Sequence, residues 1–201
     1  QEAIDAWSSC NTFYNLDSDT VNPGYIDFWH IMPYDAANGI VAASYSWYNG
    51  TILSPDNWFV LGPIDLTNVS DAMLEWDVIG PDASYCNENY SVYVGPSSNS
   101  DDLLNSPVSY NETIASGGDG CGTWGARSFD ISGAVGEEVY IAFRHHDVSD
   151  MYVMFIDNVS VTSSTMSNEE FTLENIDYTF NQETNLLRVT SEEMLSNIKI
   201  H

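Results

Sequence analysis

EVYIAFRHHDVSDMYVMFIDNVSV, Glu138 to Val161, decides the fold. Val139, Ile141 and Phe143 fall on one face of an extended chain, and Tyr140, Ala142 and Arg144 on the other. An arginine, two histidines and two aspartates interrupt the apolar run. A second apolar segment, Tyr152 to Val161, then carries an aspartate at position 157. Two strands joined by a polar turn are the reading. His145 continues the alternation of the first strand and is expected to face inward, while His146 enters the turn.

Working outward, the same texture recurs. Short runs rich in Tyr, Val, Ile, Phe and Trp are bounded by Gly, Pro, Asn and Asp, the punctuation of strands and turns. Strands are expected near 26–31, 40–47, 58–61, 72–79, 90–94, 109–114 and 126–131, besides 138–145 and 152–161. Leu74, Trp76 and Val78 point one way, Glu75 and Asp77 the other. No long segment of helical period precedes residue 160. Strands separated by turns, without helices between them, indicate an all-β sandwich or barrel.

The texture changes after Val161. The polar stretch TSSTMSNEE, Thr162 to Glu170, reads as a linker. The expected division is a sandwich over residues 1–163, a linker over 164–170 and a short β segment over 171–201. That last segment has room for three strands, near 172–178, 186–190 and 197–200. Its few apolar positions cannot build a core alone.

The chain has 201 residues, and 43% of them are hydrophobic, enough for one sizeable core. There are 30 acidic residues against 4 Lys and Arg, a formal net charge of -26. Such a surface repels phosphate backbones and anionic head groups, so nucleic acid is excluded as a partner. No run of 18 apolar residues is present, so no helical membrane span is expected. The start at Gln1 suits a secreted protein already trimmed by signal peptidase, or an arbitrary cut. The three cysteines are Cys10, Cys86 and Cys121. Cys86 and Cys121 both lie in turn-rich segments and are the candidates for a disulfide between two loops; the odd one is free or paired outside.

Carboxylates dominate the candidate chemistry. In NLDSDTVNPGY, Asn15 to Tyr25, Asp17 and Asp19 alternate as ligands of a hard cation do, or as side chains capping an Asx-rich turn. Asp147 and Asp150 either serve a calcium ion or shape their turn. Asp157 lies in the second apolar strand, where a carboxylate needs a cation or Arg144 as partner. The adjacent His145 and His146 point to opposite faces, which disfavours zinc. No nucleophile elbow, zinc-protease helix or phosphate loop is present. Trp29, Trp47, Tyr48 and Trp124 lie near strand ends or loops and are candidates for stacking on a ligand.

The order of these pieces resembles a known family. SYSW (44–47), SPDNWFVLGPIDL (54–66), LEWDV (74–78), NENYSVYVG (87–95) and Trp124, followed by SFDISGAVGEEVYIAFRHHDVSDMYVMFIDNVSV (128–161), are similar to the cleaved-adhesin or choice-of-anchor J domain. That resemblance implies a jelly-roll β-sandwich in a secreted or surface-attached bacterial protein, with bound calcium. It implies a non-catalytic module for adhesion to a glycan or a surface protein. An accessory part, or the whole, of a secreted hydrolase acting on polysaccharide or protein is the alternative. Asp17, Asp19, Asp157, Asp147 and Asp150 match the family's acidic positions, and Asn158 departs from them. The expected arrangement brings Asp17 and Asp19 to Asp157 around one calcium ion. The tail, IDYTFNQETNLLRVTSEEMLSNIKIH (176–201), resembles the first part of a type IX secretion sorting domain. It implies the export machinery as a partner and a continuation past His201.

Overall fold

The computed structural model describes residues 11–19, 27–34 and 39–164, with the backbone of two strands at 176–181 and 186–191. The chain divides into two compact units, residues 1–166 and 167–201. The first is a jelly-roll sandwich of two antiparallel sheets. One sheet holds, in spatial order, β1 (Asn11–Asn15), β6 (Asn57–Asp65), β11 (Glu138–His145), β8 (Asn89–Gly95) and β9 (Val108–Thr113). The other holds β10 (Gly125–Asp130), β7 (Met73–Ile79), β12 (Val153–Thr162), β3 (Ile40–Tyr45) and β2 (His30–Pro33). A small ribbon, β4 (Trp47–Tyr48) and β5 (Thr51–Ile52), turns on Asn49-Gly50 with positive φ at both residues, which suits that dipeptide. In the second unit, β13 (Ile176–Asn181) and β14 (Leu186–Ser191) pair antiparallel. The strand expected near 197–200 lies outside the described residues, as do Cys10 and most of the linker.

The two strands of the opening stretch occupy the centres of the two sheets. In β11, Val139, Ile141 and Phe143 are fully buried, as the alternation requires. They meet Leu74, Trp76 and Val78 of β7 and Met154 and Ile156 of β12 in the core between the sheets. Trp76 meets Phe143 edge-on at 5.7 Å between the two sheets, and within one sheet Phe13 stacks on its cross-strand partner Phe59 at 5.3 Å.

Some strands are buried on both faces. Val41, Ala43, Val153 and Phe155 form a second cluster on the outer face of their sheet, covered by Tyr34, Tyr48 and Trp124. The outer face of the opposite sheet is covered at Trp58, Val60 and Ala142 by Leu103. Leu103 comes from a one-turn helix, α1 (Ser100–Leu104), whose Asn99 side chain accepts from the amides of Asp101 and Asp102. This double burial explains why β3 and the first half of β12 read as continuous apolar runs rather than alternating ones.

Three local expectations need correction. β1 was not expected; NTFYN has one strong apolar residue, Phe13, and is held by pairing with β6 rather than by propensity. β6 runs to Asp65, past Pro63, because Pro63 sits where the register with β11 shifts between Val139 and Ile141. The segment near 26–31 begins its strand only at His30, and residues 20–26 lie outside the described set.

Candidate functional site

A polar seam crosses the otherwise apolar interior. Glu88, the residue before β8, is completely buried, and so are His145 at the end of β11 and Ser44 in β3. Glu88 Oε2 lies 2.9 Å from His145 Nε2, and His145 Nδ1 lies 2.8 Å from Ser44 Oγ. Glu88 Oε1 accepts from Ser46 Oγ and from the Tyr152 amide, both at 2.9 Å. A buried carboxylate persists only when its lone pairs are filled, and these donors fill them. The order serine–histidine–carboxylate is that of hydrolytic triads. Here all three side chains have no solvent exposure, so no substrate carbonyl can reach Ser44 Oγ.

The seam instead supports a surface cleft. Ser46 Oγ accepts from the Met151 amide at 3.2 Å, and the Ser46 carbonyl from the Asp150 amide at 3.1 Å. With the Glu88–Tyr152 bond, this pins residues 150–152 to the sandwich end. There they form one wall of a cleft of about 490 Å³ lined by Trp47, Asp82, Tyr85, Asp150, Met151 and Tyr152. Trp47 and Tyr152 meet edge-on at 6.0 Å. Tyr85, which also lines the cleft, is 52% exposed. Its loop is fixed by the disulfide between Cys86 and Cys121, whose Cα atoms are 5.2 Å apart. Gly80 passes directly beneath: a Cβ there would lie 2.8 Å from Cys86 Cα.

A second cleft, about 480 Å³, lies on the other side of the 147–150 turn, lined by Ser54, Asp56, Arg144, His146 and Asp147 among others. Arg144 grips Asp56 bidentately, at 2.7 Å and 2.9 Å. Burial alone would raise the Asp56 pKa, but this guanidinium brings it below the ordinary carboxylate value. Asp17 Oδ2 accepts from the Asp56 amide at 2.8 Å, and Asp19 accepts from the Ser54 amide. Asp17 is pushed up by burial, with Asp19 and Asp56 adding to the effect. His146 is pushed down by burial and by Arg144; its ring contacts Ser91 Oγ and Asp147 Oδ2, both at 2.8 Å.

The expected cage of Asp17, Asp19 and Asp157 is not assembled. Asp17 and Asp19 attach to the start of β6 in one sheet. Asp157 lies in the other, half-buried, paired in register with Asp77 and accepting from the Asn158 amide at 2.7 Å. Ile156 is the last fully buried residue of β12. At Asp157 the strand bulges, and Asn158 takes a positive φ of 51°. Asp147 and Asp150 also take positive φ, 51° and 57°, and line different clefts. Aspartate tolerates that region better than most residues, so the turn itself accounts for them. Among the described residues, no three His, Cys, Asp or Glu side chains converge on one ion.

Of the four candidate ligand-binding rings, Trp47 lines the cleft. Trp29 does not: it is fully buried, stacks near Phe59 and donates to the Asn57 carbonyl at 2.9 Å. Tyr48 packs edge-on against Tyr45, and Trp124 against Tyr34. Glu88, Asp82 and Tyr85 went unnoticed in the sequence. The signal for Tyr85 is its place beside a bridging cysteine. Glu88 carries no local mark among 30 acidic residues.

Residues 1–161 match the Cleaved Adhesin Domain. Two curated relatives from Porphyromonas gingivalis are Gingipain R1 and Hemagglutinin A. Gingipain R1 is 28% identical over 122 residues, 56% of this chain and 7% of its own length. Hemagglutinin A is 25% identical over 128 residues, 58% of this chain and 5% of its own. The chain therefore spans under a tenth of the length of these relatives. The K1 cleaved adhesin domain of Lys-gingipain superposes with a TM-score of 0.61 at 24% identity, over 78% of this chain and 92% of that one. The K3 domain gives 0.62 at 23% identity, over 77% and 92%. At that identity the superposition establishes the fold.

Proposed function

The chain belongs to the Cleaved Adhesin Domain family, and from that premise we propose that it is an extracellular, non-catalytic binding module of a bacterial surface. The observation that carries this reading is the contrast between its two polar features. The Ser44–His145–Glu88 arrangement, which has the order of a hydrolytic triad, is sealed inside, whereas the aromatic cleft it supports is open. Recognition of a protein or glycan needs an exposed, rigid surface with rings and a few polar groups. Catalysis needs reactive atoms within reach of a substrate. The test is a binding panel of glycans and extracellular proteins run beside protease and glycosidase screens. Binding without turnover is expected; turnover of any substrate would overturn the reading in favour of the hydrolase alternative.

Calcium belongs to the same proposal, without Asp157. Asp17 and Asp19 present oxygens only, the donors a hard cation takes. Burial pushes Asp17 up, and the nearby Asp19 and Asp56 add to it, a cost to the charged form that a divalent ion would offset. Remaining ligands would be backbone oxygens or water. Melting the protein in calcium and in EGTA tests this; coincident curves would remove the ion. Export by the type IX route is the proposed role of residues 171–201, from the sequence resemblance of the tail. Deleting them should retain the protein inside a bacterium that carries the machinery, and undiminished secretion would refute the role.

A further inference from the structure

The cleft between the Asp82–Cys86 turn and residues 150–152 has a chemistry of its own. Its rings are Trp47, Tyr85 and Tyr152, and its charged groups are the exposed Asp82 and Asp150. Among the described residues, no Lys, Arg or His lines it. Asp82 Oδ1 accepts from the Ser84 amide at 2.8 Å, which orients the carboxylate and leaves its other oxygen for a ligand. Both walls are held: one by the disulfide next to Tyr85, the other by the amides of residues 150–152 bound to Ser46 and Glu88. Aromatic faces are electron-rich and attract cations, more so when solvent is excluded. Carboxylates beside them add to that attraction.

Resting on the reading of the chain as an extracellular binding module, we infer that this cleft receives a lysine or arginine side chain presented by a protein partner. The methylene stem lies along Trp47 and Tyr152 while the charged head reaches Asp82 and Asp150. Charge complementarity favours this occupant over a neutral sugar. A sugar gains from the rings but draws nothing from the net charge of -26 that steers a basic segment inward.

The test titrates the full chain with a hexalysine peptide, its fully Nε-acetylated form, and cellohexaose, by calorimetry at low and physiological salt. Hexalysine is expected to bind and the acetylated peptide not to. Tyr85→Ala and Asp150→Asn should each weaken hexalysine about 3- to 30-fold; asparagine suits the positive φ at position 150. Asp101→Asn/Asp102→Asn, on exposed α1, should change it less than 2-fold. If that remote pair weakens binding as much as Asp150→Asn, attraction is diffuse and the cleft is not the site. If cellohexaose binds and Tyr85→Ala abolishes it while hexalysine is inert, the occupant is a sugar and the inference fails. In that case, or if neither probe binds, the module reading survives on any ligand found elsewhere by the binding panel.

Discussion

Removing the Cys86–Cys121 bridge is the perturbation whose size follows most directly from the structure. The bridge closes a loop with a sequence separation of 35. Chain-entropy reasoning assigns such a loop about 4 kcal/mol of stabilisation, through the unfolded ensemble. Both sulfur atoms are also packed, with Cys86 fully buried and Cys121 nearly so. Alanine at both positions empties that space, for about 1 kcal/mol more. A loss of about 5 kcal/mol is expected for Cys86→Ala/Cys121→Ala, comparable with the whole stability of many domains. Urea unfolding followed by tryptophan fluorescence measures it. The midpoint should fall, and the m-value should rise because the released chain expands further. Thermal midpoints should fall by about 10–20 °C. Dithiothreitol should reproduce most of the loss in the parent and do nothing to the double variant. A loss under about 1.5 kcal/mol, or equal sensitivity of both proteins to the reductant, would refute the reasoning.

Glu112 accepts from Arg127 at 2.6 Å and 2.7 Å and from the hydroxyls of Tyr90 and Tyr110 at 2.7 Å and 2.9 Å; Glu112→Leu leaves a largely buried guanidinium only the exposed Asp119 and two backbone carbonyls and should cost about 2 kcal/mol in urea unfolding, and a loss below about 0.5 kcal/mol would show that those partners and solvent suffice. His146 has its pKa lowered in the folded protein, so the unfolded chain takes the proton first as pH falls below about 6.5. The stability this histidine contributes is therefore complete above that pH and declines below it; His146→Gln should flatten the slope between pH 7 and 5, and an unchanged slope would assign it elsewhere. Gly80→Ala drives a methyl into the Cys86 backbone, and should destabilise by about 1–3 kcal/mol while leaving the disulfide formed, as a thiol count will report.

How much of this was legible in the sequence differs by element. Alternation in Glu138–His145 and Met73–Ile79 reports one buried face and one wetter face, so period two was enough to place these strands. β1 was missed because it is held by its partner strand rather than by its own sequence, and α1 because a single turn, held by an asparagine cap and one buried leucine, is too short to show a helical period. The disulfide pairing could be suggested because Cys86 and Cys121 both lie in stretches rich in Gly, Asn and Asp, and the structure joins them. The cation cage could not be placed. Acidic residues are too numerous for their spacing to carry information, and a bulge at Asp157 is invisible until β7 and β12 are paired. The cleft was half-readable. Trp47 was chosen as a loop-side ring, but its neighbours Tyr85 and Tyr152 come from turns 38 and 105 residues away (85 − 47 and 152 − 47).

The strands covered on both sides have a consequence for motion. Amides in an ordinary two-sheet sandwich can meet water by lifting off the outer side of their own sheet. In β3, the first half of β12 and the Trp58–Val60 part of β6, that route is closed by a second apolar cover. Their deuterium uptake should wait for opening of the entire unit, whereas β9 and β10, with solvent-facing positions at every second residue, should label through small local excursions. The end of the molecule bearing Trp47 and Tyr152 is thus rooted in its slowest-breathing part, so a partner docking there meets a surface already set in place.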